Sequence, residues 1–129
     1  MKIEHIAIWV ENLEKMKTFY STYFEMVAGA MYQNHQKHYA SYFLAFPDST
    51  TRMELMKRND ITISPSDRGQ QLGVAHLAIS VGSKEMVELI TDRLREDGFT
   101  VEGEPRTTGD GYYESVVLDP EGNLVEITI

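Results

Sequence analysis

Cysteine is absent from this chain of 129 residues. That excludes a disulfide framework, a thiolate zinc site and a cysteine nucleophile, and it accords with a reducing compartment. Basic charge is scarce: 12 Lys and Arg stand against 20 Asp and Glu, for a net charge of −8. Binding nucleic-acid phosphates needs a basic face, so the balance argues against such a partner. No window approaches the roughly 18 apolar residues of a membrane-spanning helix. The first residues, Met1 to His5, carry a carboxylate and a histidine where a signal peptide would be apolar. A soluble cytoplasmic protein with no membrane partner is the expectation. Of what is present, 42% is hydrophobic and 25% charged, enough for the core of one domain spanning 1–129.

The chain reads as one pattern written twice. Ile3–Val10 (IEHIAIWV) and Val74–Val81 (VAHLAISV) both read as strands with a histidine among apolar neighbours, His5 and His76 standing 71 residues apart. A helix follows each. Asn12 caps the first, with Leu13, Met16, Phe19, Tyr20, Tyr23 and Phe24 at helical spacing. Ser83 caps the second, with Met86, Leu89, Ile90, Arg93 and Leu94 repeating the pattern until Gly98. Short strands are expected near Val27–Tyr32 and Thr100–Glu104. Two more close each half: Tyr39–Phe46 and Thr51–Met56, then Tyr112–Leu118 and Leu124–Ile129. Turn signals Pro47-Asp48-Ser49 and Asp119-Pro120-Glu121-Gly122-Asn123 separate them. The fold class is therefore α+β, with βαβββ repeats over 1–58 and 74–129. Residues 59–73 form the linker, with Ser64-Pro65-Ser66-Asp67 as its breaker. Each half alone has too little core, so the halves pack together or pair with a second chain.

The last strands, RMELM and LVEIT, each hold one glutamate between apolar residues, Glu54 and Glu126, 72 apart. One loop or turn longer by a residue in the second half would reconcile 72 with 71. A lone histidine in an apolar strand is more often structural than a ligand, and strand alternation allows a glutamate on a solvated face. The repetition favours another reading. Two imidazoles and two carboxylates are candidate ligands of one divalent metal ion, and a buried carboxylate needs a cation or a hydrogen-bond partner. Mixed nitrogen and oxygen donors suit Ni, Co or Zn, with Mn or Fe also possible chemically, and argue against a calcium cage. Positions left open on an octahedral ion would take water or substrate.

HIAIWVENLEKMKTFY in the first half, with HLAISV and DPEGNLVEI in the second, resembles the vicinal oxygen chelate superfamily over nearly the whole chain. The resemblance implies a glyoxalase-like incomplete barrel. The His, Glu, His, Glu set most resembles the small bacterial form of glyoxalase I, the lactoylglutathione lyases. Extradiol dioxygenases and fosfomycin-modifying thiol transferases typically use two histidines and one glutamate. Methylmalonyl-CoA epimerases carry a glutamine in place of Glu54, and bleomycin-binding members lack the ligands. The implied chemistry is proton abstraction from a substrate with vicinal oxygens, of which the methylglyoxal–glutathione hemithioacetal is one candidate. Glu126 is the implied catalytic base, and Glu54 takes the other proton-transfer role. Glutathione or another thiol and a homodimer are the implied partners, with His5 and Glu54 from one chain and His76 and Glu126 from the other. A dioxygenase, a thiol transferase and a non-catalytic drug-binding protein are the competing readings on this scaffold.

The pattern departs from glyoxalase I at two substrate-binding positions. Trp9 stands where an arginine holds the glutathione carboxylate, and Arg58 stands where an asparagine contributes. An indole cannot replace a bidentate guanidinium. Lys37 and His38, in the run Tyr32 to Phe43, either meet an anionic substrate or sit on an exposed loop; His35 reads as exposed loop. Thr107 to Tyr113, with Gly109 and Gly111, either folds over a ligand or forms a plain hairpin.

Overall fold

The computed structural model describes residues 1–62, 68–70 and 72–129, so the predicted breaker at Ser64–Asp67 lies outside the described residues. The chain separates into two units, Met1–Pro65 and Ser66–Ile129.

In the first unit, strand β1 (His5–Trp9) leads into helix α1 (Leu13–Phe24), then β2 (Val27–Ala28), β3 (Tyr32–Asn34), β4 (Tyr39–Ala45) and β5 (Arg52–Arg58). Asn12 accepts the Lys15 backbone N–H, which starts α1 as its sequence position predicts. Leu13, Met16, Phe19, Tyr20 and Phe24 are buried on the sheet-facing side of the helix. Alternation along β4 and β5 turns Tyr42, Leu44, Met53 and Leu55 to the same core. Full burial of Met16, Leu44 and Leu55 contributes roughly 2 kcal/mol each. The sheet runs β1-β5-β4-β2, with β3 also paired to β4. β1 lies parallel to β5, and the other pairs are antiparallel. The one strand expected near Val27–Tyr32 is in fact two short ones, because both pair with the single long β4 on either side of a break at Gly29–Met31.

The second unit repeats this with β6 (Leu77–Ser80), α2 (Lys84–Glu96), β7 (Val101–Thr107), β8 (Tyr113–Leu118) and β9 (Leu124–Thr128). Its sheet runs β6-β9-β8-β7, with β6 parallel to β9. Ser83 caps α2 by accepting the Met86 N–H. The buried side of α2 is Val87, Ile90, Thr91 and Leu94. Met86 and Leu89, expected to face the core, are instead exposed, Leu89 to 60%. Thr91 makes the difference: its hydroxyl donates to the Val87 carbonyl at 2.6 Å and lies 2.6 Å from Ser115 Oγ, so it is satisfied while buried. Gly69, at φ +78°, packs against Leu124, where a Cβ would come within 2.3 Å of Cδ1. Arg68 donates to the Asn123 side chain at 2.7 Å, so the chain around Gly69 is tied to the start of β9.

Two changes account for the offsets. Phe43 and Val116, the cross-strand partners of Glu54 and Glu126, are 73 residues apart. The turn before β5 has six residues and that before β9 five, which brings the glutamates back to 72. Among the described residues, no helix is long and apolar enough to cross a membrane.

Candidate metal centre

Parallel pairing places a histidine beside a glutamate in each unit. Ala7 on β1 lies opposite Glu54 on β5, and His5, two residues earlier, shares its face. Ala78 on β6 lies opposite Glu126 on β9, with His76 two residues before it. The spacing H-x-A recurs, and the alanines keep each face open next to the carboxylate. His5 Nε2 is 3.8 Å from Glu54 Oε2, and His76 Nε2 is 3.5 Å from Glu126 Oε2. The glutamates are the covered partners, at 13% and 19% side-chain exposure, while the imidazoles are 39% and 46% exposed. Among the described residues, no Lys or Arg forms an ion pair with Glu54 or Glu126.

Two donors on one ion, at bonds of about 2.1 Å, lie about 3.0 Å apart at a right angle and about 3.4 Å apart at a tetrahedral one. His76–Glu126 lies about 0.1 Å beyond the tetrahedral value and His5–Glu54 about 0.4 Å beyond it, the latter about 0.8 Å wider than a right angle gives, so binding would draw His5 and Glu54 together. Imidazole with carboxylate is a donor set for Zn, Ni, Co, Mn or Fe(II). Each unit thus offers two donors that fit a divalent ion. Among the described residues, no three His, Asp or Glu side chains gather closely enough to hold a metal ion.

The surroundings of the two glutamates differ. In the first unit the Tyr39 hydroxyl donates to Glu54 Oε1 at 2.8 Å. Burial, opposed by a hydrogen bond with Ser41 and reinforced by Glu54, raises the Tyr39 pKa, so the hydroxyl stays a donor at neutral pH. In the second unit Glu114 is the neighbour of Glu126. Burial, then the charge of Glu126, pushes the Glu114 carboxyl above its ordinary range, against the pull of Arg106 at 3.5 Å. Ala7, Ala78, Tyr39 and Glu114 escape a reading of the sequence alone; only the paired H-x-A spacing signals any of them.

The expected substrate-binding residues fall on one end of the first sheet. The Arg58 guanidinium lies 5.5 Å from the Trp9 ring centre, and its Nε pairs with Asp60. Trp9 meets Tyr39 edge-on at 6.3 Å. Lys37, His38 and Arg58 line a hollow of about 390 Å³ with Asn59 and Asp60. His35 sits on a one-turn 3₁₀ helix, exposed, and borders a smaller hollow with His38 and Tyr39. The glycine-containing segment after Thr107 is a closed hairpin: the Thr108 N–H donates to the Tyr112 carbonyl at 2.8 Å, and the Gly111 N–H to that of Thr108 at 3.0 Å.

The chain is similar to known proteins along its full length. YqjT, an uncharacterized protein of Bacillus subtilis (strain 168), is 23% identical over 128 residues, covering 97% of this chain and 96% of that one. The trypanothione-dependent glyoxalase I of Leishmania major superposes with a TM-score of 0.78 at 23% identity, over 99% of this chain and 86% of that one. A glyoxylase/bleomycin resistance protein/dioxygenase domain from Frankia sp. EAN1pec reaches 0.83 at 14% identity, over 99% and 90%. These likenesses establish a glyoxalase-like fold of two βαβββ-like modules. A family model matches residues 2–127. By that match, the chain belongs to the Glyoxalase/Bleomycin resistance protein/Dioxygenase superfamily.

Proposed function

We propose that the chain is a metal-dependent isomerase or lyase of glyoxalase I type, acting on a small substrate with vicinal oxygens. One observation carries this reading: the same histidine–glutamate pairing recurs in both units, each pair at 3.5–3.8 Å. His5, Glu54, His76 and Glu126 are the ligands. A bound divalent ion, Ni, Co or Zn foremost, supplies a Lewis acid for the substrate oxygens. Glu126 takes the proton from carbon and Glu54 serves the second transfer. The working unit is a homodimer of single-domain chains in the cytoplasm. Edge strand β1 supports the dimer, since Ile6 and Trp9 stay 39% and 37% exposed.

A second reading keeps the chemistry and changes the substrate. Arg58 is engaged with Trp9 and Asp60, which favours a substrate without the glutathione carboxylate. The test is turnover of the methylglyoxal–glutathione hemithioacetal with Ni, Co, Zn and Mn. Turnover with at least one metal supports the glyoxalase I assignment. Stoichiometric metal binding with no turnover on any metal rejects it and leaves the second reading. Sedimentation tests the dimer, which a monomer at every concentration would contradict.

A further inference from the structure

We propose that Tyr39 and Glu4 are positioning residues, holding Glu54 and His5 from behind so that Oε2 and Nε2 are presented to one ion. The inference rests on the reading of His5 and Glu54 as metal ligands.

Each ligand has one atom already engaged. Tyr39 donates to Oε1 of Glu54 at 2.8 Å, leaving Oε2 as the oxygen nearer His5. The Tyr39 ring is itself set edge-on to Trp9 at 6.3 Å and tilted against Tyr32 at 6.0 Å, so its hydroxyl has a fixed aim. At the other ligand, Glu4 Oε2 pairs with Nδ1 of His5. A carboxylate accepting the Nδ1 proton selects the tautomer whose Nε2 lone pair is free for a metal. Glu4 is held in turn by Arg52, the register partner of His5. The Arg52 guanidinium lies 4.1 Å from the Phe43 ring centre, and Phe43 meets the His5 ring edge-on at 5.4 Å. The imidazole is therefore braced by an acid, a cation and a ring. Such outer contacts orient a ligand before the ion arrives, which raises affinity by lowering the ordering cost.

The experiment titrates apo wild type, Tyr39→Phe, Glu4→Ala and Glu54→Ala with Co(II), reading affinity, the visible ligand-field spectrum and the apo Tm. Tyr39→Phe keeps the ring and removes only the hydroxyl; Glu4 is exposed, so its removal spares the fold. The expected result is affinity weakened roughly 10–100-fold in Tyr39→Phe and on the order of tenfold in Glu4→Ala. Both are expected to alter the Co(II) spectrum while the apo Tm stays at the wild-type value. Wild-type affinity and spectrum in either variant overturn the inference for that residue. If Glu54→Ala alone loses binding, the ligands stand and only the positioning is wrong. If wild type binds no Co(II), or Glu54→Ala binds as wild type does, the ligand reading fails and this inference with it.

Discussion

Ala7 and Ala78 stand opposite Glu54 and Glu126 in the parallel ladders, and a larger side chain there would crowd the carboxylates proposed as ligands. Ala7→Leu is expected to fold normally, since Ala7 is exposed in the chain, and to weaken metal binding by at least on the order of tenfold in calorimetric titration. Glu126→Gln, nearly isosteric, should retain the metal or bind it somewhat less well while turnover drops on the order of a hundredfold or more. Glu114 gives a pH signature. Its folded pKa lies above the unfolded value, so the folded chain holds the proton more tightly, and stability falls as pH rises from the ordinary carboxylate range through the folded pKa. Apo Glu114→Gln should therefore be more stable than wild type at about pH 7 and equal to it at about pH 4 by urea denaturation; the reverse trend would refute the burial argument. That His5 would lie beside Glu54 and His76 beside Glu126 was legible because the pattern repeats. Tyr39 was not, because its reach to Glu54 depends on the β4–β5 register, which strand patterns leave unspecified.

At the scale of elements, Asp119 closes the turn into β9. It accepts the backbone N–H groups of Glu121 and Asn123 at 2.9 Å each and the Asn123 side chain at 2.7 Å. Asn123 then accepts from Arg68. Asp119→Ala strands these donors at a site only 4% exposed and should cost about 3 kcal/mol, seen as a lower denaturation midpoint. The turn was legible in DPEGN, as were both helix caps. The buried face of α2 was not: two neighbouring stripes of that helix have equal spacing, and a buried threonine–serine pair chose between them. The expected strand Val74–Val81 is also shorter, with His76 just before β6 (Leu77–Ser80). Only residues opposite β9 find ladder partners there.

At the scale of the molecule, the duplication organises everything. A single His-x-Ala strand or a single glutamate on a last strand says little, while two of each, in the same register, give each unit its own histidine–glutamate pair. The fold class and both modules were legible because patterning and repetition agree. The substrate was not, since Trp9, Arg58, Lys37 and His38 form an end of the first sheet whose geometry comes from side-chain packing. The most direct measurement is a calorimetric titration of the chelator-treated protein with Ni, Co or Zn, repeated on His5→Ala and His76→Ala. The account predicts one ion per wild-type chain and loss of tight binding in both variants, because each unit supplies half of the ligands. Absence of binding, or full affinity in either variant, would contradict it.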